Sequence, residues 1–210
     1  MSIQITYPMH ERIEDVTGTA AAVGIRVFYT SERSEWRSWL IENFESAKEI
    51  WFVFPTKDSG EPALSYNDAV EEALCFGWID STAKRLDDTH QIRRFTPRRK
   101  GSSYSRANIE RLIWLDSKGL IHPKVRPSVA ELIEEEFVFP EDILDSIREN
   151  ADAREQYQGL SLPYRRIRIA YVDAARNRPE EFRKRLDNFI SVTAKGRIIG
   201  GYGGIDKYYH

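Results

Sequence analysis

EEALCFGWID at residues 71–80 and QIRRFTPRRKGSSYSRAN at 91–108 decide how this chain is read. The first is a helix that stops at Gly77 and runs straight into a strand. The second is a strand ended by Pro97, an arginine-rich turn, and a helix start at Ser105. Asp87-Asp88-Thr89-His90 joins them as a hairpin, predicted over 81–86 and 91–96. Alternation puts Ile92, Arg94 and Thr96 on one face of the second strand, and Gln91, Arg93 and Phe95 on the other. A core has no use for so many arginines. Bringing guanidinium groups together costs free energy unless an anion or carboxylates face them.

Upstream, IRVFYT (25–30) reads as the first strand, and Ser31 as the N-cap of a helix carrying Trp36, Trp39, Leu40 and Phe44 at helical spacing. IWFVFPT from Ile50 is apolar at consecutive positions, the pattern of a central strand buried on both faces. Ser65, with Asp68 three residues on, caps the helix that leads into FGWID. Downstream, Ser105 caps a helix burying Ile109, Leu112 and Ile113 and ending near Gly119.

After Pro127 strand signals cease. Ser128-Val-Ala-Glu131 reads as a capping box, and Pro140, Pro163 and Pro179 each start a further helix. The inward stripes are Ile143, Leu144 and Ile147; then Tyr164, Ile167, Tyr171, Ala174 and Ala175; then Phe182, Leu186, Phe189 and Ile190. The expected fold is α+β: a small, mostly antiparallel sheet with packed helices, followed by an all-helical C-terminal domain. The expected boundaries are a weakly structured lead over 1–24, the α+β domain over 25–125, the helical domain over 126–197 and a flexible tail over 198–210.

The bulk numbers narrow the function. A hydrophobic fraction of 41% in 210 residues supplies an ordinary core. A net charge of −2 excludes polyanion binding by bulk field, so an anion site must be local, and it argues against nucleic acid as a partner. One cysteine, Cys75, excludes an internal disulfide and fits a reducing compartment. No apolar run reaches the roughly 18–20 residues of a membrane span, and residues 1–16 lack a basic start followed by an apolar stretch. The expected location is cytoplasmic. No histidine stands at a recognisable spacing from Cys75, no cluster has metal-ligand spacing, and no glycine-rich phosphate loop precedes a helix. Neither a metal nor a cofactor is expected.

The segment EALCFGWID followed by RRFTPRR and Ser-x-x-Asn resembles the YdeI/OmpD-associated family, also called bacteriocin-protection proteins. IWFVFPTKDSGEPALSYNDAVEEALCFGWID (50–80) is similar to that family's N-terminal part, and the stretch from Phe139 to Ile190 to its C-terminal helices. The resemblance spans about residues 30–197. It implies a role in tolerance of bacteriocins or cationic peptides, with an envelope protein as partner, and it implies no reaction.

The candidate ligand-binding residues are Trp78, Asp80, Arg94, Thr96, Arg98, Arg99, Ser103, Ser105 and Asn108. Arginine forks beside the free N–H groups of a helix start suit a phosphate or carboxylate. Three functions remain open: a non-enzymatic tolerance protein binding a small anion, an enzyme on a phosphorylated or carboxylated substrate with Asp80 as acid or base, and an RNA-binding accessory protein. Against all three stands a plain surface reading, in which the arginines pair with Asp80, Asp87, Asp88 and Glu110.

Overall fold

IWFVFP, expected as a central strand, is one. The computed structural model describes residues 26–200, and in it β2 (Ile50–Pro55) lies between β1 (Val27–Phe28) and β4 (His90–Pro97), with β3 (Trp78–Arg85) beyond β4. β1 runs parallel to β2, while β2–β4 and β3–β4 are antiparallel. Both faces of β2 are used. Phe52 meets Phe28 and Phe95 on one, and Trp51 and Val53 join Ile92 on the other. The expected lead over 1–24 and the tail from 201 onward lie outside the described residues.

The described residues divide into two compact units at Lys100/Gly101. In the first, α1 (Arg33–Asn43) and α2 (Tyr66–Cys75) supply the aromatic and aliphatic face that the sheet lacks. Trp36 and Trp39, three apart on α1, stack at 5.3 Å, and the Trp36 indole N–H donates to Ala69 O of α2 at 3.0 Å. Ser65 caps α2 as expected, accepting from Asp68 N and donating to the Asp68 carboxylate. Ser31 does not cap α1. The helix starts after Glu32, and Thr30 serves its entrance: its hydroxyl accepts from Glu32 N at 2.9 Å and donates to Glu35 at 2.6 Å. The Ser31 hydroxyl donates instead to the Glu32 carboxylate, and the buried Thr30 makes a local turn with Glu32 N.

The hairpin is longer than its pattern predicts. β3 begins at Trp78, because Gly77 takes a φ of 70° and turns the end of α2 into the strand within two residues. Its carbonyl then accepts from Arg98 N, which fixes the far end of β4. A register shift between Asp80 and Ala83 marks an irregularity in β3.

His90 opens β4 fully buried between two carboxylates. Nδ1 lies 2.9 Å from Asp87 and Nε2 2.8 Å from Glu61. Burial works against the imidazolium, but the hydrogen bonds and charges of Glu61 and Asp87 outweigh it and raise the pKa above the ordinary 6.5. A raised folded value means that this contribution is complete below 6.5 and fades as pH climbs through the folded value. We therefore expect denaturant titrations to show stability falling with rising pH in that window, and His90→Asn to flatten the slope. An equal slope in H90N would remove His90 as its source.

The second unit is helical among its described residues: α3 (Arg106–Ser117), α4 (Arg126–Glu134), α5 (Glu141–Glu149), α6 (Ala151–Gln158), α7 (Leu162–Asp173) and α8 (Pro179–Ala194). Its core joins Ile143 and Ile147 of α5, Ala153 of α6, Tyr164, Ile169 and Val172 of α7, and Leu186 and Phe189 of α8. Ser105 caps α3 as expected. α4 starts two residues before the expected Ser128 cap: Arg126 and Pro127 already form its first turn, and the Ser128 hydroxyl donates back to Val125 O at 2.7 Å. α6 was not expected. Asn150 caps it by accepting from Ala153 N, and Ala153 alone of its residues is fully buried. On α7 the stripe holds at Tyr164 and Ile167 but ends on Val172 and Ala175, with Ala174 exposed.

Candidate functional site

The pleat of β4 sends its two neighbouring arginines to opposite faces of the sheet. Arg93 lies on the helix-covered face. Its guanidinium stacks over Tyr66 at 4.3 Å and its Nη1 donates to Asp80 Oδ2 at 3.1 Å. The Tyr66 hydroxyl donates to the same oxygen at 2.7 Å. Asp80 therefore holds Arg93, and not Arg94 on the opposite face. Two donors on one carboxylate oxygen make Asp80 an acceptor and anchor.

Arg94 lies on the other face, cross-strand from Trp51. Its Nε donates to Glu49 Oε2 at 2.8 Å and its Nη2 to the same oxygen. The Trp51 indole N–H donates to Glu49 Oε1 at 3.3 Å, and Lys84 sits 4.9 Å over the Trp51 ring. One carboxylate thus receives three N–H donors at a half-exposed position just before β2. The hydrogen bond from Arg94 leads the effects that hold the Glu49 carboxyl below its usual range. Arg94 and Glu49 side chains are 39% and 43% exposed, so this pair is open to exchange with a solute.

The remaining candidates separate. Trp78 is fully buried, donates to Phe44 O at 3.1 Å and meets Trp39 edge-on, so it is a core residue. Thr96 stands opposite Ile79, two residues beyond Arg94 on the same strand. Arg98 is half-buried and Arg99 exposed. Ser103, Ser105 and Asn108 belong to the second unit. There Ser105 accepts from Asn108 N, and Asn108 Oδ1 accepts from Arg111 at 2.8 Å.

Of the acids named as surface partners, Asp80 does pair with a hairpin arginine, Arg93, while the other three are taken elsewhere: Asp88 by Arg85, Asp87 by His90, and Glu110 by Arg106 and Arg166. Glu49, Trp51 and Tyr66 were missed. Alternation on β4 is readable, but which residue of another strand lies beside Arg94 depends on register, which composition does not set. Cys75 is buried, and burial pushes its thiol up to about 12, so it is no nucleophile at neutral pH.

Residues 136–196 match the family described as bacteriocin-protection, YdeI or OmpD-associated. The helices from α5 to α8 thus carry the domain of the family that the sequence resembles. Residues 28–128 match a separate model, a domain of unknown function (DUF8412), which holds the sheet and α3. No curated protein and no solved structure matches the chain. Among the described residues no helix is long and apolar enough to cross a membrane.

Proposed function

We propose that this protein is a non-enzymatic, cytoplasmic binding protein that takes a small oxyanion at the arginine-bearing hairpin and contributes in that way to bacteriocin tolerance. The observation that carries the reading is the Glu49 carboxylate, held by Arg94 and Trp51 where a ligand carboxylate or phosphate would sit. Glu49 acts as an internal stand-in. A solute anion displaces it at low cost, because an exposed ion pair is worth only about 0–1 kcal/mol. Thr96 follows on the same strand, and Arg98 and Arg99 just beyond its end add positive charge. Ser103, Ser105 and Asn108 form a helix start in the other unit with the same preference for negative charge. The tolerance role and an envelope protein as partner come from the family description of residues 136–196.

The enzyme reading needs Asp80 to pass a proton, yet Asp80 is committed to Tyr66 and Arg93. The RNA reading has a net charge of −2 against it.

Titration with phosphate and with sulfate, followed by melting temperature, tests the proposal. The wild type is expected to gain stability at millimolar anion, and Arg94→Ala to lose that gain while staying folded. Glu49→Gln removes the internal competitor and is expected to tighten binding by up to about fivefold, the equivalent of an exposed pair. Equal responses from wild type and R94A, or no response from either, would reject the hairpin as the site. Loss of protection against a bacteriocin in cells carrying R94A is the matching result in vivo.

A further inference from the structure

We propose that the second unit holds a separate binding site, seated on Arg168, for a small monocarboxylate with a short apolar or ring-shaped body. Arg168 lies on α7 four residues after Tyr164, on the stripe that faces inward, and only 3% of it is exposed. Its Nη2 donates to Ile199 O, and its guanidinium rests 5.3 Å from the Tyr164 ring. Its Nε is buried with no hydrogen-bond partner. Among the described residues, no carboxylate pairs with it. A guanidinium out of water retains its charge, and native interiors pair such charges.

The space for the missing partner is present. Arg168 lines a cavity of about 180 Å³ between α7, α8 and the segment through Ile199 and Gly200. A cavity of roughly 150 Å³ accommodates benzene, so a ring with one small head group fits. Val172, Phe189 and Ile199 give it apolar walls, and Asn188 also lines it.

Charge decides the head group. Arg185 also lines the cavity, but its Nε donates to Glu181 at 2.7 Å and its Nη1 to Tyr171 O at 2.8 Å. Among the described residues, that leaves Arg168 as the cavity's one positive charge without a carboxylate. A monoanion balances it, whereas a phosphate dianion would leave an excess negative charge against the apolar walls. This site does not depend on the hairpin reading, since all its residues lie in the other unit.

Benzoate is the probe, with benzyl alcohol as the same ring without charge and inorganic phosphate as the anion without a ring. The experiment uses the full chain carrying Arg94→Ala, so that the hairpin contributes nothing. Benzoate is expected to raise the melting temperature in a saturable way, and the other two to leave it unchanged. Adding Arg168→Met should abolish the benzoate response without lowering the melting temperature, because a buried unpaired charge is exchanged for an apolar chain of similar length. If that variant does not fold, Arg168→Lys keeps the charge but loses the planar fork, and binding should weaken about tenfold or more. No benzoate response, an equal response to benzyl alcohol or phosphate, or undiminished binding by R168M or R168K would each overturn the proposal.

Discussion

Glu110→Ala is expected to destabilise the protein by about 3–5 kcal/mol, the cost of breaking a buried charge pair by removing one partner. Glu110 sits on α3 with 1% of its side chain exposed. Its Oε1 accepts from Arg106 Nε at 2.7 Å and Arg166 Nε at 2.6 Å, and its Oε2 from Arg166 Nη2 at 2.6 Å. The two arginine side chains are only 9% and 17% exposed. Deleting the carboxylate strands both guanidinium groups in a poorly hydrated place, and neither can shed its proton. Against a typical total of about 5–15 kcal/mol, the loss takes roughly a fifth of the stability or more.

The same reasoning gives a control that separates ion pairing from packing. Replacing Glu110, Arg106 and Arg166 together by Met or Leu removes every charge at once, so no ion is left unpaired. This triple variant is expected to recover most of what E110A loses, since a buried ionic cluster is often no better than apolar residues of like volume. Urea denaturation of the three proteins measures it. A loss below about 1 kcal/mol for E110A would show that water reaches the cluster and that its burial counts for little.

Most local features were legible and most distant pairings were not. Ser65 and Ser105 could be named as caps because a cap is settled by residues within one turn. The central place of β2 followed from its unbroken apolar run, which only a strand covered on both faces tolerates. α6 escaped because Ala-Asp-Ala-Arg-Glu-Gln-Tyr-Gln buries a single small residue and shows no stripe for periodicity to detect. Of the site, the residue types were visible and the partners were not. Arg94 meets a carboxylate 45 positions away, and Glu110 an arginine 56 positions away. Those distances are spanned by sheet register and helix packing, which many sequences share. Arg168 left a clue, its place on the inward stripe of α7, but a basic run with interleaved acids reads first as a solvated face.

Trp36→Ala is the other large expected effect, at about 3–5 kcal/mol, and it would act on the first unit. Trp36 has no exposed surface. Its ring stacks on Trp39, meets Phe52 and Phe95 edge-on at 5.1 and 5.5 Å, and lies 5.5 Å from Phe28. Those contacts reach β1, β2 and β4, and its hydrogen bond to Ala69 O reaches α2, so one side chain ties α1 to most of the unit. Alanine leaves a cavity that these flat, interlocked rings cannot close without leaving their own rotamers. The hydrogen bond is the smaller part: Trp36→Phe keeps an aromatic ring, leaves Ala69 O without its indole donor, and is expected to cost about half as much or less. Trp39→Ala, at a position 8% exposed, should fall between the two. Denaturation midpoints for the three variants give the order. If W36F proved as damaging as W36A, the indole hydrogen bond would be the chief contribution of Trp36 and the aromatic packing would be secondary.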